Sequence, residues 1–278
     1  MSEKKYRIGE VEKICKISKR TLRYYDEIGL LCPSGIPNTN KYRSYTEEEL
    51  HKIPIIKYYK QSGFKLDDIK KMINKFDFHP GNIEEKFNDK IRELEILEGE
   101  LKTKKKAVKE WLDLIKEAKT VVAEKPMDIN IKMFKKTKMM FLEQKFEYKY
   151  MNSIVNIEFN NYIEKMKNMI AGPVIIEFSS FENKCLEKCT DVKIMQKCLE
   201  KCESEQLLDF GDILVASYYY IGPYNNIKIA YKKMQNWLKK CGYEYEDKCY
   251  ERYVVDYWTF SDENKFITEI LVPIQSIP

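Results

Sequence analysis

Histidine is scarce: the 278 residues contain two, His51 and His79. Neither stands near a cysteine pair or a carboxylate cluster at metal-ligand spacing, so histidine-centred acid–base chemistry is not expected. Long apolar runs are missing as well. None approaches the roughly 18 residues of a membrane-spanning helix, and no membrane partner is expected. The first seven residues are polar and lack the apolar core and cleavage site of an export signal, which makes the cytoplasm the expected compartment. There the eight cysteines are expected to stay mostly reduced rather than to form a disulfide framework. No nucleophile and base pair is visible, so the chain is not expected to be an enzyme, and no cofactor is expected.

The charge that is present is unevenly placed. Residues 1–80 hold 17 Lys and Arg against 11 Asp and Glu, whereas 81–120 balance at 10 each and the remainder holds 22 against 23. A polyanion would therefore bind the N-terminal segment. There, Ile8, Val11, Ile14 and Cys15 recur at helical steps, and Ser18 is placed to cap a second helix, 19–28, that offers Leu22, Tyr25 and Ile28 to a core and stops at Gly29. Two short helices across a tight turn predict a helix-turn-helix. Turn residues from Pro33 to Asn40 and a short strand over 41–45 predict a wing. Thr46 and Glu49 have capping-box spacing for the next helix, in which Pro54 limits where the hydrogen-bonded interior can begin, and a last helix covers 66–75.

From Ile83 to Thr120 the apolar residues, among them Leu94, Leu97, Leu101, Val108, Leu112 and Ile115, keep three- and four-residue steps between charges. A helix of about 38 residues cannot cover such a stripe itself, so an antiparallel partner helix from a second subunit is expected, against the alternative of a solvated helix resting on its own domain. Beyond Pro126 the pattern alternates. Strands are expected around 129–133 and 139–145, a helix over 153–170 and a strand over 173–179. The order then recurs as a strand over 212–220, a helix over 225–241, two extended pieces over 243–258 and a strand over 266–274. The segments 162–168 and 231–237 carry the clearest trace of an internal repeat.

The runs Ile8-Gly-Glu-Val11, Ser18-Lys-Arg-Thr-Leu-Arg-Tyr-Tyr-Asp-Glu-Ile-Gly-Leu30 and Tyr42-Arg-Ser-Tyr-Thr-Glu-Glu-Glu-Leu50 resemble the MerR family of bacterial regulators. Tyr220-Ile-Gly-Pro-Tyr224, Cys249-Tyr-Glu-Arg-Tyr253 and Thr268-Glu-Ile-Leu-Val-Pro273 resemble GyrI-like effector-binding domains. The combination is similar to the multidrug-sensing branch of MerR-type activators. It implies an α+β protein with a winged helix-turn-helix at 1–76, a coiled-coil dimerisation helix at 77–122 and a duplicated strand-helix-strand ligand-binding domain at 123–278. It also implies a homodimer that binds an inverted repeat in promoter DNA and, under a small-molecule inducer, activates RNA polymerase by distorting the promoter.

Physically, a helix carrying Lys19, Arg20, Thr21, Arg23 and Tyr24 presents donors to base edges and phosphates of a major groove. Tyr42, Arg43, Tyr58 and Lys60 are candidates for phosphate contacts, which fix register without reading sequence; each is equally a plain surface residue if no duplex docks. In the C-terminal half, Tyr218 and Tyr220 share a strand face, and Tyr250, Tyr253, Tyr257, Trp258 and Phe260 add aromatic walls. Glu269 interrupts the apolar run 266–272 and is the candidate acceptor for a lipophilic cation, with Glu251 as a second acceptor. The competing reading makes the tyrosines ordinary core residues and pairs Glu269 with a local Lys or Arg. The hexapeptide Lys-Cys-Leu-Glu-Lys-Cys occurs twice and sets Cys185, Cys189, Cys198 and Cys202 as two thiol pairs. Either these are independent reduced cysteines in a connection, or they make the chain a metal or thiol-stress sensor; no metal site is expected among the main candidates.

Overall fold

The computed structural model describes residues 4–35, 43–74, 80–125, 128–188, 191–199 and 205–275. They form two compact units, Met1–Glu98 and Gly99–Pro278, divided within one long helix. In the first unit β1 (Tyr6–Arg7) leads into α1 (Ile8–Cys15) and α2 (Lys19–Glu27). The turn between the helices closes at Lys16, whose left-handed backbone ends α1, and the Ser18 hydroxyl accepts the Thr21 amide at 3.0 Å to start α2. Of the expected wing strand, β2 (Ser44–Tyr45) pairs antiparallel with β1, and residues 41–42, Tyr42 among them, lie outside the described residues.

The helix α3 (Glu47–Gln61) opens on the Thr46 and Glu49 capping box and runs through Pro54 without a break, which corrects the expectation that the proline limits its interior. Leu50, Ile53 and Ile56 bury the same face before and after the proline, and that continuous burial outweighs the one missing backbone donor. With α4 (Leu66–Asn74) these helices close a core around Val11, Leu22, Tyr25 and Tyr45, while Ile14, expected inward, is exposed. Two lysines tie the turn geometry down. Lys57 donates to the carbonyl oxygens that end α1, and Lys70 donates to the Ile28 carbonyl at 2.8 Å.

The long helix α5 (Pro80–Glu124) has 45 residues, more than the periodicity suggested, and is about 68 Å long at 1.5 Å per residue. Leu94, Leu101, Val108 and Ile115 fall at steps of seven and are all exposed.

In the second unit eight strands among the described residues form one antiparallel sheet. In chain order the elements are β3 (Asn130–Phe134), β4 (Thr137–Lys145), α6 (Tyr150–Ile154), α7 (Ile157–Lys165), β5 (Ile170–Phe178), α8 (Phe181–Cys185), β6 (Asp191–Cys198), β7 (Leu207–Phe210), β8 (Ile213–Ile221), α9 (Lys228–Cys241), β9 (Cys249–Val255) and β10 (Ile267–Pro273). The sheet order β3-β8-β10-β9-β5-β6-β4-β7 reads as two like halves, β8-β10-β9 and β4-β6-β5, meeting where β9 pairs β5. This is the duplication that the repeat in α7 and α9 anticipated.

Two expectations are corrected and one is refined. The helix expected over 153–170 is two short helices, because Asn156 caps a new one by accepting the Phe159 amide at 2.7 Å, and β5 already begins at Ile170. The two extended pieces expected over 243–258 are unequal: the first is an isolated antiparallel bridge from Tyr245 to Ile274, and only the second is a full strand, β9. The cysteine-repeat connection contains β6 and is followed by β7, and each of these strands completes its pairing against β4. One face of the sheet packs on α6, α7 and α9 around Phe178, Tyr231, Met234 and Ile270. On the opposite face the part of α5 after Gly99 contributes Leu114 and Val121 to a cluster with Val254, Val255 and Ile267.

Candidate functional site

Within the first unit, α2 buries Leu22 and Tyr25 and turns Lys19, Arg20, Arg23 and Tyr24 to solvent, with Thr21 half-buried against Ser18. Lys19 is steadied by Glu12 at 3.5 Å, an exposed pair that orients more than it stabilises. Arg43 is held by Asp26, Nε to Oδ2 at 2.7 Å. Tyr58 and Lys60 are exposed on the last turn of α3. The structure thus brings four of the five recognition-helix candidates onto one solvent-facing side.

Within the second unit, side chains alternate across the sheet, and this alternation separates the two candidate glutamates. Glu269 pairs in register with Tyr219 and Arg252, whereas Glu251 pairs with Ile270 and Ile176 and faces the helices. The two carboxylates therefore point to opposite faces of the sheet and do not line one pocket.

Glu269 is fully buried and already compensated. Arg252 donates to it at 2.9 Å, and Lys132 and Ser217 reach its other oxygen. Arg252 also forms a bidentate pair with Glu117 of α5 at 2.5 and 2.6 Å, and Tyr219 donates to Glu117 at 2.8 Å. Burial pushes the Glu117 carboxyl up, but the Arg252 hydrogen bonds and charge outweigh it and hold the group below its ordinary range. Two carboxylates and two cations close a neutral network, which is the arrangement of the competing reading, Glu269 paired with a local Lys or Arg.

Glu251 lies on the other face in a cage of phenols. Tyr231 donates to it at 2.8 Å and Tyr253 at 2.5 Å, and Tyr150 stands 3.5 Å away. Burial first and the Glu251 charge next push the Tyr253 and Tyr150 hydroxyls well above the usual phenol value, so they stay protonated donors. Tyr150 and Tyr224 stack at 4.4 Å, and Tyr253 meets Tyr224 edge-on at 5.6 Å. The carboxylate's ionic partner is Lys184 of α8, at 3.1 Å.

Of the remaining candidates, Tyr218 and Tyr220 pack on the Glu251 face, Tyr220 donating to the Pro223 carbonyl at 2.9 Å. Tyr250 is buried on the opposite face against Phe210. Trp258 is half exposed and donates to the Ile154 carbonyl at 3.3 Å, Tyr257 packs on Tyr224 and Phe266, and Phe260 is exposed. Sequence reasoning missed Lys184, Tyr150 and Tyr224 as site residues. The alternation Phe146, Tyr148, Tyr150 was the available signal for one wall, whereas Lys184 was hidden inside the cysteine repeat. Cys185 lies in α8 and Cys198 ends β6 with its thiol 3.5 Å from Asn168, while Cys189 and Cys202 lie outside the described residues. Burial raises the Cys185 thiol to about 11, which disfavours the reactive thiolate.

Residues 6–75 match the family described as MerR HTH family regulatory protein, and residues 127–275, more than half of the chain, match the GyrI-like small molecule binding domain. The Multidrug-efflux transporter 1 regulator of Bacillus subtilis (strain 168) is 34% identical over 41% of this chain and 42% of its own length. The HTH-type transcriptional activator mta of the same organism is 39% identical over 27% of this chain and 28% of its own length. The matches therefore span less than half of these curated relatives. Among solved structures the EcmrR C-terminal domain is 18% identical with a TM-score of 0.48, covering 54% of this chain and 98% of that one.

Proposed function

Since this chain belongs to the GyrI-like small molecule binding domain family and carries a MerR HTH regulatory segment ahead of that domain, we propose that it is a ligand-responsive, DNA-binding transcription regulator and not an enzyme. Residues 1–76 bind promoter DNA, with Lys19, Arg20, Thr21, Arg23 and Tyr24 entering the major groove and Tyr42, Arg43, Tyr58 and Lys60 gripping phosphates. Residues 77–122 pair with the same helix of a second subunit. The exposed seven-residue series Leu94, Leu101, Val108 and Ile115 supports that pairing, and two-fold symmetry makes an inverted repeat the matching operator. Residues 123–278 hold the inducer, a lipophilic organic cation, and the bound form activates RNA polymerase by distorting the promoter.

The observation that carries the sensing half is Glu251, a fully buried carboxylate ringed by tyrosines. Such a group costs free energy unless a cation compensates it, a position that Lys184 holds here at 3.1 Å, and aromatic faces are the matching walls for an organic cation. The thiol-sensing alternative is not favoured: Cys185 and Cys198 sit on different elements, and no metal-binding cluster occurs among the described residues. No helix there is long and apolar enough to cross a membrane.

Selection of duplexes from a random pool by the full chain is expected to return an inverted repeat. Replacing Arg20 and Arg23 together by Ala is expected to weaken its binding at least a hundredfold, from about 1–3 kcal/mol per base contact. Enrichment of no repeat, or equal binding by the double variant, sinks the DNA reading.

A further inference from the structure

The Glu251 cage is occupied by the protein itself. Lysine is strongly hydrated and rarely buried, yet the Lys184 side chain is 2% exposed against a fully buried Glu251. Its ammonium lies 3.8 Å from the Phe178 ring centroid and 4.9 Å from those of Phe146 and Tyr150, with Tyr148 and Tyr231 at 5.2 and 5.5 Å. It donates to the Tyr150 hydroxyl at 2.7 Å. A carboxylate, a phenol and five aromatic rings around one ammonium are the surroundings that an organic cation would find.

The element that delivers Lys184 is slight. The five-residue α8 is anchored at its start, where Asp247 accepts from the Ser180 hydroxyl at 2.9 Å and the Glu182 amide at 3.1 Å. Past Lys184, Leu186 is exposed, Glu187 turns in a left-handed conformation at φ 57, and the Glu187–Lys228 ion pair at 3.7 Å is solvent-exposed. Beside the ammonium a cavity of about 120 Å³ is lined by Tyr148, Tyr150, Tyr224, Tyr231 and Lys228. Drug-sized ligands occupy roughly 300–1,000 Å³, so a ligand of that size fits only if something leaves.

We propose that Lys184 is a tethered stand-in for the ligand: its ammonium fills the cation position against Glu251, and an organic ammonium binds by displacing it together with the end of α8. The inference rests on the reading of the Glu251 cage as the ligand site. The displaced ammonium regains its hydration at the surface, and the incoming cation takes over Glu251 and the rings. Apparent affinity then falls by the fraction of molecules in which the cage is closed. Specificity follows too. A primary amine offers the cage only what Lys184 already supplies at high effective concentration, whereas a bulky quaternary ammonium is weakly hydrated and covers more ring surface, so the site selects the latter.

Calorimetric binding of benzyltrimethylammonium to the full chain tests this, with the uncharged carbon analogue neopentylbenzene as control. Lys184→Met is expected to bind the cation at least tenfold more tightly than wild type, and Lys184→Met with Glu251→Gln to lose that gain. In wild type, Lys184 is expected to resist brief acetylation and to become at least tenfold more reactive when the cation saturates. Equal or weaker cation binding by Lys184→Met, or a Lys184 still protected under saturating cation, overturns the displacement and leaves the Glu251 site standing. If no folded form binds the cation, the site and the displacement both fall. Should Lys184→Met not fold, the acetylation of wild type decides.

Discussion

Arg252→Met is the perturbation whose cost follows most directly from the geometry. The guanidinium, 14% exposed, makes three charge-assisted hydrogen bonds to two carboxylates, Glu117 at 26% exposure and Glu269 at 0%. Truncation leaves Glu269 with Lys132 and Ser217 and lets Glu117 hydrate in part. Removing one partner of a buried pair costs about 3–5 kcal/mol, and the surviving partners place this case near 3. Adding Glu117→Gln removes one stranded charge, so a double-mutant cycle on Arg252 and Glu117 is expected to give about 1–2 kcal/mol of coupling. Urea unfolding followed by tryptophan fluorescence reads this unit alone, because Trp111, Trp237 and Trp258 all lie after Gly99. The sign with pH is fixed as well. Glu117 titrates below its unfolded value of 4.5, so its contribution is present above that pH and is lost as pH falls through the lower folded value. The acid limb should therefore flatten in Arg252→Met. A cost under about 1 kcal/mol, or a coupling of zero, would refute the account of the network as a structural clamp.

Asp256 is buried, and burial raises its carboxyl to about 6 against the Trp258 amide that lowers it. Its charge therefore destabilises the fold increasingly as pH rises from about 4 to 6, and Asp256→Asn should gain up to about 3 kcal/mol above pH 6 and nothing below pH 4; urea midpoints across that range check it. Val108→Glu puts a charge into the exposed apolar series of α5, and sedimentation is expected to show dissociation to monomer, whereas an unchanged dimer would move the interface elsewhere.

The helical half was largely legible because its signals are local. Ser18, Thr46 and Glu49 cap where their types predict, and Leu22 and Tyr25 are buried at the expected phase. The candidate site was legible in composition but not in arrangement. Glu251 and Glu269 are 18 residues apart on adjacent strands, and the face each one takes depends on a register in which Glu269 meets Arg252. The β10–β9 register shifts between Ile267 and Thr268, and that shift leaves no sequence signal. Over their described residues the identical hexapeptides likewise fold differently: the first begins in α8, where Ser180 supplies a cap, and the second begins in the last two residues of β6, where β4 and β5 supply partners. Tertiary context overrides local propensity at both.

The adjacency of Glu251 and Arg252 on β9 has a consequence for how the chain finds its fold. Neighbours on a strand point to opposite faces, so a slip of β9 by one residue would carry the guanidinium into the phenol cage beside Lys184 and the carboxylate onto Glu117 and Glu269. Each side would then bury like charges together. A sheet built from two similar halves invites mispairing, and these two residues act as an error check that only one alignment of β9 passes.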